Sequence, residues 1–385
     1  MFFYCPFLLD LFILTIGVFS ILNTEMGVVG ILPKIADAYG VPITSAGLLV
    51  SLFALVVAFA GPTMPLFMSR FNRKTVMAGV LGVFTGCNLL AAFAPNFPVL
   101  LIARVIPAFF HPVFISQALS AASASVEPAE APKAVSRVMV GVSAGSVVGV
   151  PAATALSNLF SLRAGMLFFA AVSAAALVLT LLFIPSLPAR ERLSYGSQLR
   201  VLKKPGVWLA ILGVICLNGG LFGVYSYLSD FLSAVTGFSA GWVSGLLLVY
   251  GLANIIGNTV AGQMLSKTPL RFAAACPALL IGLYILLLLF GGVSWAMAAL
   301  VLLWGIIAGC VGNVNQYWIA AAAPEAPDFA NGLFLASTNL GTTIGTSICG
   351  AVIASFGMRW IELGGFAMLA GSLLFILWQT RRMKR

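Results

Sequence analysis

The feature that most constrains this chain is a succession of long apolar runs separated by short polar breaks. A helix needs about 20 consecutive apolar residues to cross the hydrocarbon of a bilayer. Of the 385 residues, 61% are hydrophobic and 8% are charged, whereas soluble domains carry about 25% charged residues. Folded in water, such a sequence would expose more apolar surface than a globule can bury. We therefore predict an all-α integral membrane protein, and the lack of period-two alternation argues against an outer-membrane barrel.

The runs predict twelve transmembrane helices arranged as two six-helix bundles. They lie near residues 7–32, 43–63, 75–94, 98–120, 135–157, 163–184, 206–229, 239–262, 272–291, 294–317, 330–355 and 360–379. The longest polar interruption separates an N-terminal bundle (1–184), a linker (185–205) and a C-terminal bundle with a short basic tail (206–385). Two such halves are typical of carriers that bind substrate near the membrane midplane.

The net charge of +10 is distributed asymmetrically over the predicted loops. Sixteen of the twenty lysines and arginines fall on one side: Arg70, Arg73, Lys74, Lys133, Arg137, Arg190, Arg192, Arg200, Lys203, Lys204, Lys267, Arg271, Arg381, Arg382, Lys384 and Arg385. The other side holds Lys34, Arg163 and Arg359. Because cytoplasmic loops carry the excess of Lys and Arg, both termini and the linker are predicted to be cytoplasmic. The basic loops indicate contact with anionic lipid rather than nucleic acid, since no basic stretch belongs to a water-soluble fold.

Motifs for enzyme chemistry do not occur in the sequence. The six cysteines lie in or beside apolar segments without CxxC spacing, and there is one histidine. The sequence contains no HExxH, Walker or GxSxG pattern, so we expect no metal, nucleotide or other cofactor. A membrane enzyme would need a cluster of acids, histidines or cysteines, and the spans offer too few of them.

Glu25 is an acid inside the first predicted span, seven residues before its end at Leu32 and so about 10 Å deep. Arg104 enters the fourth span to a depth of about 9 Å by the same rise per residue. Because intramembrane charges pair or face water, we predict Glu25 as a proton acceptor with Arg104 as its partner. A purely structural pair is the alternative. His111, two turns after Arg104 on the same face, is a candidate for a proton relay or for a histidine bonded to a neighbour.

Several short strings follow one another in a characteristic order. They are Asn23-Thr24-Glu25, Gly30–Ala36, Ser45-Ala46-Gly47, Arg104, Gly145–Pro151, Asn218–Tyr227, Asn254–Gly262 and Asn339-Leu340-Gly341. Together they resemble the major facilitator superfamily, within it the bacterial drug–proton antiporters, and especially the arabinose/sugar and purine efflux permeases. The resemblance implies proton-coupled efflux of a sugar, a purine base or nucleoside, or a phenicol-like drug by alternating access. We expect a monomer in a bacterial inner membrane whose partners are a small-molecule substrate, protons and lipid.

The loop after the second span, residues 69–74, is similar to the gating loop G-x-x-x-D-R-x-G-R-K of this family. Its basic positions remain as Arg70, Arg73 and Lys74, but Ser69 stands where the acid is expected and Asn72 replaces the second glycine. The resemblance implies a cytoplasmic gate, and the missing acid leaves open whether a salt bridge closes it. Positive charge that serves topology alone is the alternative.

Span 5 carries glycines at every fourth position, Gly141, Gly145 and Gly149, followed by Pro151. The string resembles the antiporter motif G-x-x-x-G-P-x-x-G-G with one residue inserted before the proline. In that family the motif accompanies export. Small residues four apart also let helix backbones approach closely, so helix packing alone is the alternative.

Polar and aromatic side chains are candidates for lining a cavity for a neutral ligand. They are Asn23, Asn218, Phe222, Tyr225, Asn254, Trp304, Asn313, Gln316 and Asn339. Amides and phenols hydrogen-bond sugars or bases, and aromatic rings stack on them. Hydrogen bonding between helices is the competing use. A proton-coupled importer of the same fold, a channel and a non-transporting sensor also remain open as alternatives to efflux.

Overall fold

A computed structural model describes residues 4–186 and 195–383, and the described residues contain helices and turns but no strand. The helices are α1 (Tyr4–Gly27), α2 (Leu32–Tyr39), α3 (Ile43–Ala46), α4 (Leu48–Ala60), α5 (Met64–Met68), α6 (Arg73–Ala92), α7 (Phe97–Ala124), α8 (Ala131–Leu159), α9 (Leu162–Phe183), α10 (Tyr195–Leu199), α11 (Pro205–Tyr225), α12 (Leu228–Ala234), α13 (Ala240–Lys267), α14 (Pro269–Phe290), α15 (Ser294–Ala322), α16 (Pro327–Phe356) and α17 (Glu362–Met383). Short 3₁₀ turns lie at Val28–Ile31, Arg200–Lys203 and Met358–Trp360. Residues 187–194 of the predicted linker lie outside the described residues, as do Lys384 and Arg385 of the predicted tail.

Eleven helical segments of the described chain are long and apolar enough to cross a membrane, and α4 is a shorter apolar helix. Together they correspond to the twelve predicted spans. The second span differs from its prediction in that the run 43–63 divides into α3 and the shorter α4. Gly47 separates these two helices, and α4 ends just before Gly61 and Pro62. Proline has no N–H to donate, which favours the end of a helix at this point.

Polar side chains define where several of the long helices begin. The side chain of Asn72 accepts a hydrogen bond from the backbone N–H of Lys74 at the start of α6 (3.0 Å). Asn96 caps α7 by accepting from the N–H of Val99 (3.0 Å), and Ser161 caps α9 in the same way. Each cap satisfies a backbone donor that has no partner inside its helix.

The chain forms two compact units. The first unit is Met1–Gln198 with Pro327–Leu335, and the second is Leu199–Ala326 with Ala336–Arg385. One helix, α16, therefore contributes its first turns to the first unit and its remaining length to the second. The predicted bundle boundaries at 184 and 206 stay predictions.

Close helix contacts in each unit depend on glycine. The stripe Gly141, Gly145 and Gly149 of α8 lies directly on α1, where a Cβ at Gly145 would lie 2.6 Å from the Cβ of Leu22. In the second unit, a Cβ at Gly341 of α16 would lie 2.5 Å from the carbonyl oxygen of Ile215 on α11. Such distances leave no room for a methyl group, so the two backbones approach as closely as small-residue packing allows.

Candidate functional site

Glu25 lies in the last turn of α1, and its carboxylate lies beside His111 of α7. The Oε2 atom of Glu25 is 3.0 Å from Nε2 of His111, and the side chains are 14% and 5% exposed, respectively. Neither nitrogen of His111 has a partner with hydrogen-bond alignment. The contact is therefore a close approach of an acid and an imidazole, which becomes an ion pair when the imidazole is protonated.

Arg104 binds the end of α1 through backbone carbonyl groups. Its Nη1 atom donates to the carbonyl oxygen of Thr24 (2.7 Å) and its Nη2 atom to that of Glu25 (3.2 Å). The guanidinium is 5.2 Å from the ring centroid of Phe53, and the residue is 3% exposed. The last carbonyls of a helix have no partner inside it and carry the negative end of its dipole, so a buried cation is stabilised there.

The predicted partnership of Glu25 with Arg104 stays a prediction: the two groups interact through their charges, but they form no salt bridge within 4.0 Å among the described contacts. Among the described residues, the Glu25 carboxylate forms its close ionic contact with His111, while the contacts of Arg104 go to backbone oxygens. The physical reason is that α1 ends at Gly27 and passes into a 3₁₀ turn, which leaves unpaired carbonyls at the depth of Arg104. The roles of Glu25, Arg104 and His111 in proton coupling remain predictions.

Phe53 of α4 completes the apolar wall of this site. Its ring meets the imidazole of His111 edge to face, with centroids 5.9 Å apart and planes at 82°. The same ring lies below the guanidinium of Arg104. One aromatic side chain thus contacts both basic groups, and sequence reasoning missed it because a phenylalanine in an apolar run carries no distinguishing signal.

A buried polar network that the sequence analysis also missed lies beside the acid. The Nδ2 atom of Asn88 on α6 donates to the hydroxyl oxygens of Thr24 (3.0 Å) and Ser173 (3.2 Å), and Ser20 and Ser173 are 3.1 Å apart. Asn23 is fully buried against Gly149, and neither polar atom of its amide has a hydrogen-bond partner. Asn88, an intramembrane asparagine about one turn before the end of α6, was the signal that could have identified this network.

The predicted amides of the second unit bond mainly to other helices. Asn218 of α11 donates to the carbonyl oxygen of Thr338 (2.7 Å) and accepts from Asn315 (3.2 Å). Asn313 donates to Asn258 (2.6 Å), which donates to Asn254 (3.3 Å). These contacts match the competing interpretation given in the sequence analysis, interhelical hydrogen bonding.

Gln316 and Asn339, the remaining predicted amides, lie on α15 and α16, respectively. Gln316 is buried, at 5% exposure. Asn339 is partly buried, and its carbonyl oxygen accepts from the hydroxyl of Thr343 (3.0 Å). The role of these two side chains in ligand binding remains a prediction.

The predicted aromatic residues of the second unit do come together. Tyr225 stacks on Tyr250 with centroids 4.4 Å apart, and Phe222 meets Tyr225 edge to face at 5.7 Å. Trp304 lies 6.1 Å from Tyr250 and 5.7 Å from Tyr284, and its indole N–H has no partner. These five residues are called the aromatic cluster below. Tyr250 and Tyr284 were not predicted.

The loop 69–74 makes specific polar contacts within the first unit. Ser69 accepts a hydrogen bond from the side chain of Gln198 (2.9 Å) and donates to the carbonyl of Leu66 (2.8 Å). Asn72 caps α6 and donates to the hydroxyl of Ser186 (2.7 Å). Of the predicted basic residues, Arg70 is exposed and Lys74 is partly buried.

Arg73 of this loop faces an acid from a distant part of the chain. A guanidinium nitrogen of Arg73 lies 3.7 Å from a carboxylate oxygen of Asp328, in the first turn of α16. The same turn is held on α7, because Ser116 donates to the carbonyl oxygen of Asp328 (2.8 Å) and Asn331 donates to the hydroxyl of Ser120 (3.1 Å). The loop has no acid at Ser69, but Asp328 of α16 supplies one opposite Arg73. Sequence reasoning missed this pair.

We next searched the described part of the chain for side chains that could bind a metal ion. No group of three or more His, Cys, Asp or Glu side chains there could hold a metal ion. The first unit instead brings a carboxylate and an imidazole into contact.

The described chain has many apolar helices long enough to cross a membrane, and charged side chains are buried at the end of α1. Together these features define a multi-pass membrane protein of the carrier class. The chain belongs to the Major Facilitator Superfamily, whose family profile matches residues 14–327. It is therefore a membrane transporter of that family.

Relatives match along nearly the whole chain. The sequence is 32% identical over 379 residues to the MFS-type transporter YtbD of Bacillus subtilis, covering 97% of this chain and 95% of the relative. It is 28% identical to the inner membrane transport protein YdhP of Escherichia coli, covering 96% and 95%. It is 27% identical to the probable sugar efflux transporter of Helicobacter pylori, covering 98% and 97%.

Solved structures share the fold. The outward conformation of the transporter FucP superposes with a TM-score of 0.79 at 17% identity, covering 97% of this chain and 99% of that chain. The human organic anion transporter MFSD10 gives a TM-score of 0.80 at 15% identity, covering 96% and 99%. At these identities the likeness concerns the fold, and it confirms the predicted all-α architecture.

Proposed function

We propose that this transporter couples the entry of protons to the efflux of a small organic solute by alternating access. The observation that carries the proposal is the contact of 3.0 Å between Glu25 and His111 at the end of the first span. Acids inside spans are costly and are found on ion pathways. The likeness to the probable sugar efflux transporter of Helicobacter pylori supports export as the direction.

In this proposal Glu25 and His111 take up the coupling proton as a pair. With an ionised acid and a neutral imidazole, the positive charge of Arg104 balances the site. Adding one proton to either partner leaves the site with one net positive charge. The membrane potential then acts on that charge with about 2.3 kcal/mol per 100 mV. Because the two side chains are in contact, the proposal assigns the coupling proton to the pair rather than to either residue alone.

Arg104 holds the end of α1 in position while the pair changes its charge. Its hydrogen bonds to the carbonyls of Thr24 and Glu25 do not depend on whether the carboxylate is protonated. This leaves the carboxylate free to exchange its proton with His111 or with water. Its role is to position the acid, and the acid and imidazole carry the proton.

The gate of this proposal is formed by Arg73 and Asp328 on the cytoplasmic side. The acid opposite the basic loop comes from α16 rather than from the loop itself, so a salt bridge is available although Ser69 replaces the expected acid. Because α16 continues into the second unit, releasing its first turn from α7 would allow the remainder of the helix to move. Ser69, Arg70 and Lys74 would support the loop and its attraction to anionic lipid.

We assign substrate contacts to the aromatic cluster and to the predicted amides. Stacked rings with one unpaired indole N–H suit a flat or sugar-like molecule that offers a hydrogen-bond acceptor. A sugar, a purine base or nucleoside and a phenicol-like drug all meet this description. Asn23, whose buried amide has no partner, is the candidate contact in the first unit.

The test uses a bacterial strain that lacks its own exporters and expresses this chain or its Glu25→Gln variant at equal levels. Cells are loaded with labelled L-arabinose, hypoxanthine or chloramphenicol, and efflux is followed with and without a proton uncoupler. We expect export of at least one compound that the uncoupler and Glu25→Gln both abolish. Accumulation rather than export would favour the importer. Transport of none of them above the empty-vector control, together with no proton movement, would favour a sensor.

A further inference from the structure

A second buried acid lies in the second unit, outside the site described above. Glu362 is the first residue of α17 and is 0% exposed, although Arg359 and Trp360 just before it are exposed. Neither carboxylate oxygen has a hydrogen-bond partner. Its own backbone N–H lies close to the carboxyl group.

Close helix packing excludes water from this carboxyl group. The next turn of α17 carries Gly364, where a Cβ would lie 2.8 Å from Sγ of Cys349 on α16. It also carries Gly365, where a Cβ would lie 2.8 Å from a methyl group of Val224 on α11 and would collide with the ring of Tyr284. Three helices therefore press on the first turns of α17, and glycine makes the approach possible.

The groups that surround Glu362 do not neutralise it by a direct contact. Tyr284 of α14 donates its hydroxyl to the carbonyl oxygen of Gly220 (2.7 Å), so its proton is engaged elsewhere. Cys349 of α16 is a weak donor. Arg359 acts on the carboxyl group through its charge, and it forms no salt bridge with Glu362 within 4.0 Å among the described contacts. Asp230 on α12, which packs against the turn Met358–Trp360, is exposed.

These surroundings oppose one another in their effect on charge. A carboxylate that leaves water without a hydrogen-bond donor costs several kcal/mol, which favours the protonated acid. Arg359 lies on the exposed turn, three residues before Glu362 in the chain. Its positive charge favours the ionised form of the carboxyl group. One buried residue, Ile361, separates that turn from Glu362 in the chain.

We infer that Glu362 is a second proton-binding site, which gains and loses a proton independently of Glu25 and His111. This goes beyond the proposed function, because the site lies in the second unit and would exist even if coupling at Glu25 failed. A transporter with a titrating acid in each unit can bind more protons in one cycle than the first site alone accounts for.

The test is an infrared titration of the purified full-length protein in lipid, with protons as the only ligand. The carbonyl stretch of protonated carboxyl groups is recorded as difference spectra between about pH 5 and pH 9, the range in which perturbed carboxyls change charge. Wild type, Glu362→Gln, Glu25→Gln and the double variant are compared. Glu362→Asp serves as the second variant, because it keeps a titrating carboxyl if the amide fails to fold.

The inference predicts that Glu362→Gln loses one titrating band that Glu25→Gln retains, and that Glu362→Asp shifts this band. The double variant should lose the bands of both acids. Difference spectra of Glu362→Gln that superpose on those of wild type would overturn the inference, since the acid would then be a permanently protonated packing residue. Loss of the Glu25 band has no bearing on this result, so the failure of one site is distinguishable from the failure of the other.

Discussion

Replacing Arg104 by lysine tests whether this cation holds the end of α1. The guanidinium makes two hydrogen bonds, of 2.7 Å to the carbonyl of Thr24 and 3.2 Å to that of Glu25. A lysine ammonium keeps the charge, but it lacks the planar fork that reaches both oxygens at once. We therefore expect Arg104→Lys to retain one of the two contacts and to leave one carbonyl unpaired.

The size of the effect follows from these contacts. A hydrogen bond to a charged group contributes about 1.5–3 kcal/mol, and Arg104 itself is buried, at 3% exposure. With a shift of about 2–4 °C per kcal/mol for 150–250 residues, a range that includes the size of the first unit, the apparent melting temperature should fall by about 3–12 °C. Thermal unfolding of the purified protein, followed by size-exclusion chromatography with fluorescence detection, measures this change.

The chain offers a matched control for this measurement. Arg163 also lies over an aromatic ring, 5.1 Å from the centroid of Phe93, but it is exposed. Arg163→Lys should change the free energy of unfolding by no more than about 0.5 kcal/mol, as surface substitutions usually do. Equal melting temperatures for Arg104→Lys and Arg163→Lys would refute the reasoning, because the two carbonyl contacts would then contribute nothing.

The remaining predictions concern the gate and the glycine stripe. Asp328→Asn leaves Arg73 without its acid and should increase uncoupled leakage of the transported compound from cells. The exchanged pair, Arg73→Asp with Asp328→Arg, should reduce that leakage again. Equal leakage from wild type and Asp328→Asn would contradict the proposed gate. Gly145→Ala places a methyl group against Leu22 and should destabilise the protein by about 1–3 kcal/mol, as overpacking does. Gly82→Ala, where a Cβ meets nothing within 4 Å, is its control and should be neutral or stabilising because alanine favours helix by up to about 1 kcal/mol. Equal loss of stability in both variants would contradict the close-packing argument, because alanine does not weaken a helix relative to glycine.

The sequence predicts the helices well because their signal is local. A run of apolar residues identifies a span without knowledge of its neighbours. The exception, α4, shows the limit of this signal, since a glycine and a proline interrupt the run at 47 and 62 and hydropathy alone does not register them. The glycine stripe of α8 was likewise visible, because its period of four residues is a property of one helix.

Partners across the fold are harder to predict from sequence. Depth along the helix placed Glu25 and Arg104 together, but it does not give the direction in which each side chain points. The end of α1 at Gly27 lies inside an apolar run, so the free carbonyls that attract Arg104 left no mark in the sequence. Asp328 follows Arg73 only after most of the chain, and no local pattern connects them.

The amides and aromatic rings of the second unit mark a further limit. An asparagine in a span must find a partner, but its residue type is the same whether the partner is a ligand or another helix. The structure gives Asn218 a partner on α16 and Asn313 one on α13. Tyr250 and Tyr284 were missed because a tyrosine in an apolar run resembles any other large core residue.

The central claim is that Glu25 and His111 together carry the coupling proton, and proton movement itself tests it most directly. Membrane vesicles with a trapped pH indicator receive the exported compound on the side from which it is transported. Wild type should move protons in response, whereas Glu25→Gln and His111→Ala should each abolish the signal, and the double variant should be no worse than either single one. Glu130→Gln, which removes an exposed acid paired with Lys133, should leave the signal unchanged. Substrate-driven proton movement of normal size in Glu25→Gln would contradict the claim.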